Sequence, residues 1–363
     1  MTDLLDVGCV VIGRNEGERL VHCLTSVVRE VAHDRVVYVD SQSTDDSVGF
    51  ARGLGIEVVE LDLSRPFTAA RARNEGFERL MAIASRPRTE ATPTPTPTPA
   101  STPTPGLESR PGFEPGSLLA YVQFIDGDCE IVPGWLARGR ARLIERKDLA
   151  VVCGRRREKY PGASIYNRLC DLEWDTPVGE AEACGGDALM RIEAFQRAEG
   201  FNASLICGEE PDLCLRLRRL GYAVERLDAE MTRHDAAMAE FHQWWKRSVR
   251  AGYAYAEGAS NHADGDEAYS KKDVRSILFW GALPAVALGA GVPTLGLSLC
   301  MLGAYPLGAR RIYQGERARG RSPSDALLYA SFCMLGKFPE LQGLARYYSN
   351  RLRGRASALI EYK

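Results

Sequence analysis

Asp126 and Asp128 flank Gly127 directly after the apolar run Leu118 to Ile125. Two carboxylates one residue apart at the end of a buried strand form a compact hard-oxygen pair. Such a pair suits Mg²⁺ or Mn²⁺ bridged to a diphosphate. A surface acidic turn with glycine has the same composition, so the position after the strand is what raises the signal. Asp40 likewise follows a strand-like run, Val36 to Val39, and precedes Ser41, Ser43, Thr44 and Asp45. It is placed to accept a base N–H, or else to organise an Asx-type turn and helix cap. Arg71-Ala72-Arg73-Asn74-Glu75-Gly76 opens an amphipathic helix, where a guanidinium could neutralise phosphate; a solvated helix face is the alternative.

Further along, Gly208-Glu209-Glu210-Pro211-Asp212 begins a helix that turns basic at Arg216 to Arg219. Acidic residues at a helix N-terminus are stabilised by the dipole, but two adjacent Glu exceed what capping requires. One of them could serve as a general base. His234-Asp235 follows a strand-like Ala223 to Leu227, and this His, one of 5, could complete a metal site or be structural. Phe241, Trp244, Trp245, Tyr253 and Tyr255 are interleaved with Lys246, Arg247 and Arg250. That pattern fits a packed aromatic helix face or a helix at a membrane interface. The chain lacks G-x-x-x-x-G-K-[ST], G-x-G-x-x-G and G-x-S-x-G, which argues against NTPase, dinucleotide-binding and serine-hydrolase chemistry.

The elements that must hold these residues alternate. Val7 to Ile12, Val36 to Val39 and Ile56 to Leu61 read as strands, separated by helical stretches through Leu20, Leu24, Val27 and from Ser47 to Leu54. Such alternation implies an α/β architecture with a mostly parallel, doubly wound sheet, whose ligands collect beyond the carboxyl ends of the strands. The 363 residues, 45% hydrophobic and 26% charged, allow a substantial core. Ten scattered Cys without a CxxC pair read as small core residues of a reduced compartment, and Met1 to Asp6 lacks the character of a secretory signal.

Between Arg86 and Ser117 lie nine of the 19 prolines, a TPTP-rich insertion that can neither pair in a sheet nor continue a helix. From Ile277 to Ala309 run 33 residues without a charge, flanked by Lys271, Lys272 and Arg275 before and Arg310, Arg311 and Arg317 after. A span needs only about 20. Basic residues on both sides favour a hairpin bent near Gly291-Val292-Pro293 over a single span; a buried helical hairpin is the alternative. The net charge of −2 suggests no nucleic-acid partner, yet it hides an asymmetry. Arg310 to Lys363 holds eleven Lys/Arg against four Asp/Glu, a basic tail suited to anionic lipid.

In order, VVIGRNEGERLVHCLTSV, VVYVDSQSTDDS, TAARARNEGF, YVQFIDGDCEIVPGWL, ACGGDALMRIEAFQRAEGFN and GEEPDLCLRLRRLGY resemble a family 2 glycosyltransferase with the GT-A fold, over most of residues 7 to 236. The resemblance implies a metal-dependent enzyme that moves a sugar, with inversion, from a nucleotide-diphosphate sugar to a hydroxyl of a lipid-linked or surface-polysaccharide acceptor. It implies that Asp40 reads the base beside Asn15 and Glu16, that Arg73 and Asn74 approach the donor, and that Asp126 and Asp128 hold Mn²⁺ or Mg²⁺ with His234. Gly185, Gly186 and Asp187 resemble the loop on the transferred sugar. Glu210 resembles the catalytic base of a G-E-D-x-D pattern; Glu in place of Asp also puts Glu209 and Asp212 in play. The implied organisation is a GT-A domain over 1–85 and 118–240, the insertion 86–117, an interface helix region 241–275, an apolar membrane hairpin or transmembrane segment 276–309 and a basic helical tail 310–363. Its expected place is the cytoplasmic face of a membrane. A catalytically silent nucleotide-sugar-binding or scaffold protein is the alternative.

Overall fold

The computed structural model describes residues 4–62, 64–65, 67–85, 119–263 and 269–354; the Pro/Thr insertion lies outside these. The first half alternates as expected: β1 (Val7–Gly13), α1 (Glu18–Val28), β2 (Val36–Asp40), α2 (Ser47–Gly53), β3 (Glu57–Glu60), α3 (Ala69–Ala84) and β4 (Tyr121–Asp126). β1 is buried along nearly its whole length, which is why its sequence reads as an unbroken apolar run rather than an alternation. α1 buries Leu20, Cys23, Leu24 and Val27, the i, i+3, i+4, i+7 stripe of a helix lying on a sheet. α3 lies closer still. A Cβ on Gly76 would come within 2.5 Å of Val10 and 2.7 Å of Val39, so only glycine lets this helix settle on β1 and β2.

The second half comprises β5 (Cys129–Ile131), α4 (Trp135–Glu145), β6 (Leu149–Glu158), α5 (Ile165–Glu173), β7 (Gly179–Glu180), β8 (Ala188–Arg191), α6 (Ile192–Arg197), α7 (Glu209–Arg219) and β9 (Ala223–His234). The strands form one sheet in the order β3-β2-β1-β4-β8-β6-β9-β5, with β7 also on β9. It is parallel from β3 to β4, but β8 joins antiparallel to both β4 and β6. β5 begins two residues after β4 ends, yet pairs with β9 at the far edge. The sheet therefore curls around the Asp126–Cys129 turn. Register does the rest. Gly13 pairs with Asp40 and Ile12 with Asp126, so the carboxyl ends of β1, β2 and β4 stand side by side.

The chain continues through α8 (Phe241–Asn261), α9 (Lys271–Gly289), α10 (Ala304–Ala318), α11 (Pro323–Leu335) and α12 (Lys337–Leu352). Trp244 and Tyr253 are buried, Trp244 against Phe332 and Tyr253 against Tyr347, so these aromatics of α8 form a packed face rather than a membrane-facing one. The uncharged run is a bent hairpin: α9, a turn over 290–296, a 3₁₀ segment Leu297–Gly303, then α10. No helix among the described residues is long and apolar enough to cross a membrane. Pro284 sits inside α9 and cannot donate to the carbonyl of Trp280; the Tyr305 hydroxyl of α10 donates to that carbonyl instead. Seven of the ten cysteines are buried, as expected of core residues, and all are free; Cys300 is exposed.

α8 and α12 cross at glycines on both sides. A Cβ on Gly252 would meet the Glu340 carbonyl oxygen at 2.0 Å, and one on Gly343 the Val249 carbonyl oxygen at 2.0 Å. Gly252→Ala gains up to about 1 kcal/mol in helix propensity but forces the helices apart, at a cost of about 1–3 kcal/mol or more. The variant is expected to melt several degrees below the parent in thermal denaturation, whereas Gly315→Ala, with open space around it, is expected not to fall.

Candidate functional site

The carboxyl ends of β1, β2 and β4 open into a cleft of about 830 Å³, whose far wall is built by α5, the α7 N-terminus and α8. At its centre Arg73, from the first turns of α3, is buried among three carboxylates. It lies 2.8 Å from Asp126, 2.9 Å from Glu209 and 3.1 Å from Glu210, and its guanidinium covers the Phe201 ring. Thr68 caps α3 by accepting the Arg71 N–H, which fixes where this helix begins and so where Arg73 points. Burial opposes ionisation of Asp126, but Arg73 and Arg156 outweigh it and hold its carboxyl below the usual range. For Glu210, burial and then the charge of Glu209 win over Arg73, and its pKa is pushed up to about 7. Gly186 lies between these groups; a Cβ there would meet Arg73 at 2.5 Å and Asp126 at 2.8 Å.

Beside them, Asp128 Oδ2 is 3.2 Å from His234 Nε2. His234 is the last residue of β9, rather than following a shorter strand, and it pairs with Cys129 of β5 and Glu158 of β6. That register delivers it to the Asp128 turn. Burial disfavours its charged form, yet Asp128, with help from Glu158, raises its pKa. Asp128, Cys129 and His234 cluster closely enough to share an ion. Burial and Asp187 push the Cys129 thiol well up, and its soft sulfur is a poor match for a hard cation. The usable set is carboxylate oxygen plus imidazole nitrogen, with the Asp126 carboxylate nearby, and this fits Mn²⁺ or Mg²⁺ better than a soft metal.

Residues 9–81, which carry β1, β2 and the helix of Arg73, match the family model "Glycosyl transferase family 2". Over nearly the whole chain the structure is similar to mannosyltransferase PcManGT from Pyrobaculum calidifontis, solved in complex with GDP-Man and Mn²⁺. The likeness has a TM-score of 0.55 at 15% identity and covers 95% of this chain and 88% of that one. The fold is GT-A. More distant likenesses are to S. aureus TarS (TM-score 0.43, 13% identity, 93% of this chain and 55% of that one) and to glucosyl-3-phosphoglycerate synthase from Mycobacterium tuberculosis (TM-score 0.42, 16% identity, 72% and 81%). No curated protein matches the sequence significantly.

Within the GT-A cleft the structure brings together Asn15, Glu16, Arg73, Asp126, Asp128, Gly186, Glu210 and His234. Asn15 adopts positive φ, and its side-chain oxygen accepts the Thr44 N–H at 2.7 Å while its own N–H donates to Ser43 at 2.8 Å. The loops after β1 and β2 are thereby stitched into one rim. Four expected residues sit elsewhere. Asp40 is buried beneath the rim, its oxygens taken by Tyr38 and by Ser43, so it organises the turn and does not face the cleft. Asn74 clasps the backbone of Phe201 in both directions instead of approaching a donor. Asp187 is fully buried, accepting from the Asp126 N–H and from Thr232 and pairing with Arg156 at 2.9 Å; it braces the Asp126 strand end. Asp212 turns to the other side of α7, where it holds His262 at 2.7 Å and Arg216 at 2.9 Å. For the three buried carboxylates, burial demands that they be satisfied within the protein.

Several cleft residues carry no motif and were not anticipated as a site. Trp174 stands edge-on to His234 at 4.7 Å with Arg156 above its ring, and Arg247 and Arg250 line the wall from α8. The three consecutive arginines Arg155 to Arg157 were the one visible signal for Arg156. The Glu210 shift has a consequence for the metal-free protein. Its folded pKa of about 7 exceeds the unfolded value, so the folded state binds the extra proton and stability falls as pH rises from about 4.5 to 7. Glu210→Gln is expected to be more stable than the parent at pH 8, by on the order of 2 kcal/mol, and equal to it below pH 4.5; urea titrations in EDTA at both pH values check this.

Proposed function

We infer that this protein is a metal-dependent inverting glycosyltransferase that uses a nucleotide-diphosphate sugar. The observation that carries the reading is the convergence, in one GT-A cleft, of the Asp128–His234 pair with Asp126 and with a protonatable Glu210. Asp128 and His234 would hold the ion, and a divalent ion there supplies charge neutralisation for the departing nucleoside diphosphate. The neighbour solved with GDP-Man and Mn²⁺ supports this choice of donor class. Glu210 takes the proton of an acceptor hydroxyl as that oxygen forms its bond to the anomeric carbon, and the bond from that carbon to the diphosphate oxygen breaks on the opposite face. Arg73 keeps Glu210 within reach of Asp126 and so sets the distance between base and donor site. Gly186 leaves open the space between them.

The acceptor proposed is a glycan intermediate at a membrane, lipid-linked or at the surface. The support is the hairpin tip, where Val292 is 88% and Leu295 98% exposed, with Leu288, Leu297 and Leu307 also bare. Isolated exposed leucines are ordinary; a contiguous bare tip between basic clusters fits insertion into an anionic leaflet. A nucleotide-sugar panel with Mn²⁺ is expected to reveal one or more donors that turn over. Asp128→Asn is expected to abolish this, and Glu210→Gln to lower kcat by about 10²-fold or more with donor affinity kept. Wild-type kcat is expected to rise through about pH 7 as Glu210 ionises. Unchanged turnover in Asp128→Asn sinks the metal assignment. In flotation with anionic vesicles, the parent is expected to rise with the lipid and Val292→Asp/Leu295→Asp to stay below.

A further inference from the structure

The ends of β6 and β9 are knitted to the turn after β4 by backbone bonds. Lys159 N–H donates to the His234 carbonyl at 2.8 Å, and Asp235 N–H to the Asp128 carbonyl at 3.0 Å. Three side chains thereby meet in a row. Asp128 Oδ2 stands 3.2 Å from Nε2 of the His234 ring, and Glu158 Oε2 stands 3.7 Å from its other nitrogen, Nδ1. Trp174 packs edge-on against the ring at 4.7 Å, which restrains its rotation. Nδ1 is buried without a hydrogen-bond partner among the described residues, because 3.7 Å is too long for one. The Glu158 side chain is itself fully buried, and its one ion-pair partner among the described residues is His234. A carboxylate accepts at about four lone-pair positions. At Oε1 Glu158 accepts from the Tyr160 N–H at 3.0 Å and the Asn167 amide at 3.1 Å, and at Oε2 from the Ala236 N–H at 3.1 Å. The capacity that remains is on Oε2, the oxygen beside His234.

We propose that Glu158 is a positioning residue for the metal site: it takes the Nδ1–H of His234 and so turns the Nε2 lone pair toward the place shared with Asp128. This rests on the reading that Asp128 and His234 hold the ion, and adds what orients the imidazole. A neutral imidazole has one lone pair and one N–H, and the partner of the N–H decides which nitrogen is left to ligate. With Nε2 given to an ion, a buried N–H is left at Nδ1, and it needs an acceptor. Glu158 Oε2 is placed to be that acceptor, since a shift of under about 1 Å closes the gap to hydrogen-bond length. A carboxylate there also makes the ring a stronger donor to the ion. An architectural role alone accounts for the bonds from Tyr160, Asn167 and Ala236. It does not account for a buried ring nitrogen left without a partner beside a buried anion. Nor is Glu158 placed as a ligand, because the groups close enough to share an ion with His234 are Asp128 and Cys129.

The test uses the full chain with isotope-labelled histidine, in UDP and separately in GDP. Calorimetry measures Mn²⁺ affinity, and long-range proton–nitrogen NMR in Mg²⁺ reads the His234 tautomer, with His234→Asn identifying its signals. The parent is expected to carry the ring proton on Nδ1, a readout that needs no variant. Glu158→Gln, whose amide must donate where a carboxylate oxygen accepted, is expected to bind Mn²⁺ about 10-fold or more weakly and to lose that single tautomer. Glu158→Asp keeps the charge but draws it back by a methylene, and is expected to fall between. Ser164→Ala is the structural control. It removes the cap of α5 and a bond to the Met238 carbonyl, loosening the neighbouring loop without touching Glu158. It is expected to melt lower with its tautomer kept and Mn²⁺ affinity within about 2-fold of the parent. A parent proton on Nε2, equal weakening in Ser164→Ala, or parent affinity in the Glu158 variants while Asp128→Asn and His234→Asn lose theirs, overturns this proposal alone. Parent affinity in Asp128→Asn and His234→Asn overturns the metal assignment beneath it.

Discussion

Arg73 is a single guanidinium on which three separate parts of the chain converge. It leaves α3 and reaches Asp126 at the end of β4 and both Glu209 and Glu210 at the start of α7. Without it, three carboxylates would face one another in a buried space, where like charges force protonation or separation. With it, Asp126 stays ionised while Glu210 is left poised near neutrality. A buried ion network of this kind contributes little net stability, because desolvation offsets attraction, but it fixes geometry sharply. The distance between the carboxylate pair and the proposed base is set here.

The geometry that Arg73 locks is prepared by strand register. A one-residue slip between β1 and β4 would move Asp126 away from the end of Ile12 and turn its side chain to the other face of the sheet. On the far side, β9 must run its full twelve residues for His234 to arrive beside Asp128, paired across to both Cys129 and Glu158. The curl of the sheet is what lets β5 leave β4 after a two-residue turn and still close against β9. Metal-ligand candidates from residues 126, 128 and 234 meet only because of it.

The C-terminal helices complete the cleft as well as extending the fold. α8 has one face in the cleft and the other in a core shared with α9 and α12, so the wall facing Glu210 is continuous with the hairpin. Glycines at the α8–α12 crossing bring backbone against backbone, and Tyr305 satisfies the carbonyl that Pro284 strands. The hairpin thus has a defined bend, and no helix among the described residues is long and apolar enough to cross a membrane.

The sequence alone determined the elements of the first half, since alternating apolar strands and amphipathic helices are local periodicities. It also determined the Asp126-Gly127-Asp128 turn, the Glu209-Glu210 pair and the bent hairpin, because each is a short pattern whose meaning needs few neighbours. Tertiary structure alone decided which carboxylates face the cleft. Asp40, Asp187 and Asp212 look equivalent to Asp126 and Glu210 in a string of letters, but burial with their own partners turns them into braces: Tyr38 and Ser43 for Asp40, Arg156 and Thr232 for Asp187, His262 and Arg216 for Asp212. It also decided that β8 pairs antiparallel with both β4 and β6, which no local pattern in β8 signals. Trp174, Arg156, Arg247 and Arg250 enter the site by long-range packing. Local pattern specifies what a segment can form; only closure of the chain specifies which side chains share one volume.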